Sequence, residues 1–350
     1  MTMRSFQAAN MAINKIAKKN VSVKISVIIP AYNAELYLEK ALESVLRQNY
    51  PPFEIIVVDD ESFDKTPDIA RKFKDRIIYR QINHAGAGAA RNCGIRIASS
   101  DYIAFLDSDD YWFKNKLGKL SEAILKFPNI GFFCSNYAVR YPEVGNRLLI
   151  HFSNLKIGKE INFDGPLKAD PFMLLIKEMF VGTASAVVVK KNILEQAGMF
   201  KTEYRNSQDW ECWLKCARLT NFVVLSDVLF YKRNHGRSLS SNKIRSFYDR
   251  RRILEDTVLI DNKVYVKGKG YMGLCRRALA DINYQLGGFQ YEIGKKKEAF
   301  VLFFEGLKGD RSISNLIKFW WNIGKKLIRM ASFETMSKKR LRGRKKQFLG

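Results

Sequence analysis

Two kinds of apolar patterning alternate along the first hundred residues. Residues 25–30 and 54–59 are short β-branched runs bounded by turn formers, the pattern of strands buried on both faces. Between them Leu36, Leu38, Ala41, Leu42, Val45 and Leu46 recur at helical spacing, with Asn33 placed to cap that helix. Strand, helix and strand in this order predict a right-handed βαβ unit. A helix over 66–73, a strand over 77–80, a helix over 88–99 and a buried strand over 101–106 continue the alternation. Beyond Pro128 the elements shorten, with apolar runs at 131–139 and 184–189 and a helix over 210–218, and this region completes the same domain.

From about Ile244 the pattern becomes basic, amphipathic and helical. Residues 271–308 predict a helical hairpin that is similar to one tetratricopeptide-type unit, with Leu286, Gly287 and Gly288 as the turn and 299–307 on the second helix. No internal repeat accompanies it. Further on, Ile313, Leu316, Ile317, Trp320, Leu327 and Ile328 line one face, opposed by Lys318, Asn322, Lys325, Lys326 and Arg329, the pattern of an interfacial anchor. A nearly pure basic run follows at 338–346. The resulting division is a basic leader (1–21), an α/β domain (22–243), a helical extension (244–310), and an amphipathic helix with a basic tail (311–350).

A formal net charge of +25 at pH 7 implies attraction to phosphate, whether in a nucleotide, a nucleic acid or an anionic membrane. Charge alone does not choose among them. Five cysteines without Cys-x-x-Cys spacing indicate neither a disulfide framework nor a zinc site, and fit a reducing compartment. There is no apolar run of about 18 residues, so a spanning helix is not expected and any membrane contact is peripheral. The first twenty residues lack the continuous apolar stretch of a secretory signal.

The chemistry concentrates at 105–112, Phe-Leu-Asp-Ser-Asp-Asp-Tyr-Trp, just after a buried strand. Carboxylates clustered there are costly unless a cation, solvent or catalysis compensates. Asp107, Asp109 and Asp110 therefore form a candidate site for Mg²⁺ or Mn²⁺, which share oxygen ligands with substrate phosphates. A cap on a helix starting near Tyr111 would explain one of these carboxylates but not all of them. Ligands of α/β domains bind at the carboxyl ends of strands, so Tyr32, Asp59, Asp60 and Asp107–Asp110 are expected to converge on one crevice.

Four stretches in order carry a family resemblance: 26–33 (Ser-Val-Ile-Ile-Pro-Ala-Tyr-Asn), 57–62 (Val-Val-Asp-Asp-Glu-Ser), 89–94 (Ala-Ala-Arg-Asn-Cys-Gly) and Asp107-Ser108-Asp109. Together they resemble glycosyltransferase family 2 over residues 22 to about 240. The resemblance implies an α/β, Rossmann-like GT-A fold with the helical basic part as a C-terminal extension. It also implies a nucleotide-sugar donor, UDP favoured, a divalent cation and inversion at the anomeric carbon. Carried onto this chain, it puts Pro30, Tyr32 and Ser108 among the nucleotide contacts, with Asp60 accepting from the base and Arg91 beside base or phosphate. Asp107 faces the ribose or reaches the metal through water, and Asp109 is the direct metal ligand. Glu61 departs from the family, which commonly has Gly or Asn there.

Residues 205–214 resemble the family segment that opens a helix over the donor sugar. Its first acidic position is Gln208 here, so Asp209 aligns with the general base, and Glu211 is the reserve. Residues 231–240 resemble the closing Arg-x-His-x-x-Ser segment, which makes Arg233 a phosphate contact and His235 a metal or diphosphate ligand. Residues 182–185 line either the donor sugar or a plain packing surface, and His84 and His151 receive no role. Family habit and the basic anchor imply a hydroxyl acceptor on a cell-surface glycan or lipid-linked precursor, at an anionic membrane surface on the cytoplasmic inner face, with no nucleic acid partner. Two other readings remain at this point: a nucleotidylyltransferase, and an inert nucleic-acid or membrane-surface binding module.

Overall fold

The computed structural model describes residues 22–141, 147–235, 243–256 and 269–309. The leader expected at 1–21, the amphipathic helix and tail expected at 311–350, and residues 236–240 of the closing segment lie outside the described residues. The chain divides into two compact units, Met1–Ser241 and Asn242–Gly350.

In the first unit β1 (Ile25–Ala31) is buried along its whole length, as a continuous apolar run demands in a strand covered on both faces. Carbonyls of Ser26-phase residues face the neighbour on one side: Ile28 O accepts from Leu106, whereas Ala31 O accepts from Asp60 on the other. Pro30 shares the phase of Ile28, so its missing N–H points where pairing with the next strand has already ended. Helix α1 (Leu38–Leu46) buries Leu38, Ala41, Leu42 and Val45 of the predicted stripe, whereas Leu36 precedes the helix and is exposed. Asn33 does not cap it. The first position before the helix is Tyr37, and Asn33 instead adopts φ 48° and accepts the Phe63 N–H through Oδ1 at 3.1 Å.

Strand β2 (Glu54–Asp59), helix α2 (Thr66–Arg71), strand β3 (Ile78–Gln81), helix α3 (Ala87–Ile97) and strand β4 (Tyr102–Phe105) complete a parallel array ordered β3-β2-β1-β4. Next comes β5 (Tyr111–Trp112), a two-residue strand where a helix start was the bland alternative; helix α4 (Lys116–Lys126) begins four residues later. Strands β6 (Phe132–Tyr141) and β7 (Arg147–Ile150), helix α5 (Pro171–Lys177), strand β8 (Val187–Lys190), helix α6 (Lys191–Gln196), helix α7 (Gln208–Cys216) and strand β9 (Phe222–Lys232) follow. They extend the sheet in the order β4-β8-β6-β9-β5, with β8 antiparallel to both β4 and β6, and β6 parallel to β9. The sheet is therefore mixed, and its second half is placed by tertiary pairing rather than by another βαβ repeat.

The second unit contains α8 (Lys243–Ile253), α9 (Lys269–Glu292) and α10 (Lys296–Gly309). Helix α9 runs straight through Gly287 and Gly288, so the turn is not there but at Gly294, which has φ +85°. A Cβ on Gly287 would lie 2.7 Å from the Phe303 ring and 3.1 Å from Ala299 O. The glycine is a notch for close helix approach rather than a breaker. Among the described residues no helix is long and apolar enough to cross a membrane.

Candidate functional site

The acidic triplet sits at the carboxyl end of β4, between the parallel and the mixed halves of the sheet, and β5 holds it there from the far side. Asp107 is fixed on three sides. Arg91 Nη2 donates to its Oδ1 at 2.6 Å, Thr183 Oγ1 donates to its Oδ2 at 3.0 Å, and its own N–H donates to Ser185 Oγ at 2.9 Å. Burial pushes the Asp107 carboxyl up, but the Arg91 guanidinium and the two hydrogen bonds hold it below its usual value. Arg91 is only 6 % exposed, and its Nε and Nη1 are buried without a hydrogen-bond partner. Desolvated cationic donors are costly unless a negative charge offsets them, and Asp107 supplies one here. Arg91 thus pairs with Asp107, not with Asp60.

Asp109 Oδ2 lies 3.0 Å from His235 Nε2, both half-buried, and His235 stacks on Tyr37 with ring centroids 4.9 Å apart. Arg233 lies over the other aromatic edge of this cluster, 4.5 Å from the Tyr37 centroid. The Arg233 N–H donates to Asp110 Oδ1 at 2.9 Å, while Asp110 Oδ2 is buried with no hydrogen-bond partner. Burial, then the neighbouring Asp109 and Asp107, push Asp110 well above the carboxylate range, and burial and Asp107 raise Asp109. Ser108 is half-buried between them.

Among the described residues no group of three or more His, Cys, Asp or Glu side chains is assembled to hold a metal by itself. Mg²⁺ needs no such cage when substrate phosphates complete its shell, and the half-buried Asp109 carboxylate beside the His235 imidazole fits that use.

Asp209 is the second residue of α7, half-buried, and accepts the Trp210 N–H at 2.8 Å; the position before the helix is Ser207. Burial raises its carboxyl, opposed by the positive charge of Arg91, with Asp107 and Lys232 also in electrostatic reach. The segment leading to Asp209 is clamped to α3. Asn92 Nδ2 donates to Phe200 O at 2.8 Å, and the Phe200 N–H returns a bond to Asn92 Oδ1 at 3.0 Å. Glu211 is fully buried and paired with Lys215 at 3.1 Å, so it braces the helix instead of facing the crevice.

On the other flank Asp60, 2 % exposed, accepts the N–H groups of Ala85 and Gly86 at 2.8 and 2.9 Å, with His84 Nδ1 3.0 Å away. Tyr32 is 45 % exposed and its ring stacks 4.4 Å from that of His84. Pro30 is buried inside β1. The structure thus gathers Arg91, Asp107, Ser108, Asp109, Asp110, Asp209, Arg233 and His235 around the β4 end, and holds Tyr32, Asp60 and His84 together at the β1–β2 end.

Several site residues gave little sequence signal. Lys232 ends β9, and although burial pulls its ammonium down, Tyr137, Asp110, Asp107 and Asp209 hold it above its usual value. On a long strand a lysine reads as solvent-facing, and only the pairing of β9 with β5 and β6 brings it inward. Tyr37 is equally silent as a single letter. His151, without a role in the sequence, buttresses the loop: it stacks on Tyr137 at 4.4 Å and contacts Phe180 O at 2.8 Å, and a Cβ on Gly182 (φ +79°) would meet both rings.

The profile described as "Glycosyl transferase family 2" matches residues 26–191. The UDP-Glc:alpha-D-GlcNAc-diphosphoundecaprenol beta-1,3-glucosyltransferase WfaP of Escherichia coli is 34% identical over 241 residues, which cover 66% of this chain and 85% of that protein. WfgD of Escherichia coli, with the same printed activity, is 32% identical over 67% of this chain and 86% of its own length. Among solved structures, S. aureus TarS 1-349 in complex with UDP-GlcNAc aligns with TM-score 0.56 at 17% identity, covering 86% of this chain and 92% of that one. The mannosyltransferase PcManGT from Pyrobaculum calidifontis, in complex with GDP-Man and Mn²⁺, aligns with TM-score 0.54 at 17% identity over 88% of this chain and 81% of that one. At such identity the two structures speak for the fold alone.

Proposed function

The chain belongs to glycosyl transferase family 2 and is a glycosyltransferase of GT-A fold, and from that premise we propose that it transfers one sugar, with inversion, from a UDP-sugar to a hydroxyl of a lipid-linked or cell-surface glycan precursor. The observation that supports the donor half is the buried Arg91 guanidinium, paired with Asp107 at 2.6 Å at the strand end that also carries Asp109 and Asp110, where positive charge would favour a diphosphate. The acceptor half is supported by the two Escherichia coli relatives, whose printed activity is on a diphosphoundecaprenol-linked sugar.

In this reading Asp209 takes the proton of the acceptor hydroxyl as that oxygen attacks the anomeric carbon and the bond to the diphosphate oxygen breaks. Burial raises its proton affinity above that of a free carboxylate, which suits a general base. A single displacement gives inversion. Arg91, Arg233 and Lys232 supply fixed positive charge toward the departing UDP. Tyr32, with its exposed ring on His84, borders the base, and Asp60 orders the 84–86 turn beside it. Asp109, with His235 beside it and Asp107 behind, would hold Mg²⁺ or Mn²⁺, which when bound supplies Lewis-acid stabilisation of the leaving diphosphate.

A panel of nucleotide sugars tested for thermal stabilisation in the presence of Mg²⁺ or Mn²⁺ examines this directly. UDP-sugars should raise the melting temperature more than GDP-, ADP- or CMP-sugars, because only a bound donor favours the folded state. Equal stabilisation by all four bases, or by none, would count against the donor assignment.

A further inference from the structure

Helix α10 presents two opposite faces. Ala299, Leu302, Phe303 and Gly306 point into the second unit, where Phe303 meets Gly287 and Tyr284 meets Gly306. One half-turn around the helix, Phe300, Val301 and Phe304 are 50, 59 and 62 % exposed. Helical spacing lines them up with Lys297 one turn before and Lys308 one turn after, both exposed. Lys308 Nζ already lies 5.3 Å above the Phe304 ring. The acidic residues of α10 are elsewhere: Glu298 and Glu305 fall to one side of this line, and Glu305 is paired with Arg251 at 2.9 Å.

Three large apolar side chains exposed on one face of a 14-residue helix are an expensive surface to leave in water. We propose that the Phe300–Val301–Phe304 ridge is a docking surface for an anionic lipid bilayer, with Lys297 and Lys308 reaching from its two ends to the headgroups. The charge pattern chooses this occupant. Lysines that bracket an apolar strip can bury their stems along it and leave the ammonium at phosphate depth. A second copy of this chain is disfavoured, because a two-fold contact would bring the same lysine-bracketed strip against itself. An acidic protein groove would satisfy the lysines but requires no exposed phenylalanines at the centre. The proposal rests in part on the lipid-linked acceptor proposed above, which would be met at a bilayer surface, and it concerns a different segment from residues 311–350.

Flotation of the full-length protein with vesicles tests it. Wild type should partition onto phosphatidylcholine–phosphatidylglycerol vesicles and lose that partition as salt rises, with weaker binding to phosphatidylcholine alone. The double variant F300S/F304S should bind the anionic vesicles roughly tenfold less well, and K297E/K308E should fall by a similar factor. Circular dichroism checks that helix content is unchanged. A surface exposed in the native fold predicts that it is, and retained helix with retained partitioning in both variants would overturn the proposal. So would light scattering that shows wild type as a dimer and F300S/F304S as a monomer, which would assign the ridge to a second copy. Neither donor nor acceptor sugar is present in this experiment, so its failure leaves sugar transfer untouched. Conversely, a failed nucleotide-sugar panel would leave a measured partition standing.

Discussion

Asp107 has both carboxylate oxygens committed, one to Arg91 and one to Thr183. Thr183 is thus the part of the site that sets the orientation of Asp107, while Asp109 lies beside His235. Thr183→Val keeps the shape and removes the hydroxyl donor to a charged acceptor. Steady-state kinetics should show kcat/KM reduced about tenfold, in line with the worth of a hydrogen bond to a charged group. An unchanged value would mean that Arg91 alone suffices.

Lys116 is a separate residue-scale case. It is fully buried, bonded to Ser135 Oγ at 3.0 Å and held over the Trp112 and Phe230 rings, and burial pulls its ammonium from 10.5 down to about 7. Because the folded value lies below the unfolded one, the unfolded chain binds more protons between about pH 7 and 10.5. Stability from this group is fully present above that window and is lost as pH falls through it. Urea denaturation should find Lys116→Met more stable than wild type at pH 7 by on the order of 1 to 3 kcal/mol, with the gap closing toward pH 10. A gap that stays constant with pH would refute the titration argument.

Among the elements, β1, β2 and α1 were readable because their burial follows directly from period: a continuous β-branched run between parallel neighbours, and an i, i+3, i+4, i+7 stripe. The two residues of β5 were not, since Tyr111 and Trp112 acquire strand geometry only by pairing with Tyr231 and Phe230, more than a hundred residues away. The same distance hides Lys232. Gly287–Gly288 misled for a related reason: glycine marks a turn when judged locally, yet at Gly287 the absent Cβ serves a neighbour. Gly287→Ala should therefore destabilise the α9–α10 hairpin by about 1 to 3 kcal/mol, through the clash with Phe303, rather than raise helicity as alanine would in an isolated helix. Hydrogen exchange across 284–306 would detect the loosening; increased protection there would contradict the notch. Asp107, Asp109, Asp209 and His235 stand out in the sequence by motif, and the fold brings them to the β4 end. The part played by Tyr37 was not legible, since its stacking on His235 follows from tertiary geometry alone.

At the scale of the whole molecule, family membership removes the nucleotidylyltransferase and inert-module readings, and the net charge of +25 is to be explained around a glycosyltransferase. Within the first unit the pairing switches from parallel to mixed at β4, and carboxylates and cations from separate stretches of chain meet at its carboxyl end. The central claim is that this meeting place holds the diphosphate of a sugar donor with Asp209 poised over the acceptor. Its most direct measurement is metal-supplemented transfer of labelled sugar from the best-stabilising UDP-sugar to a polyprenyl-diphosphate-linked acceptor, run for wild type and Asp209→Asn alongside calorimetric UDP binding. The account predicts turnover by wild type, a loss of about a hundredfold or more in the variant, and UDP affinity within a few-fold of wild type. Transfer by Asp209→Asn at the wild-type rate would contradict it.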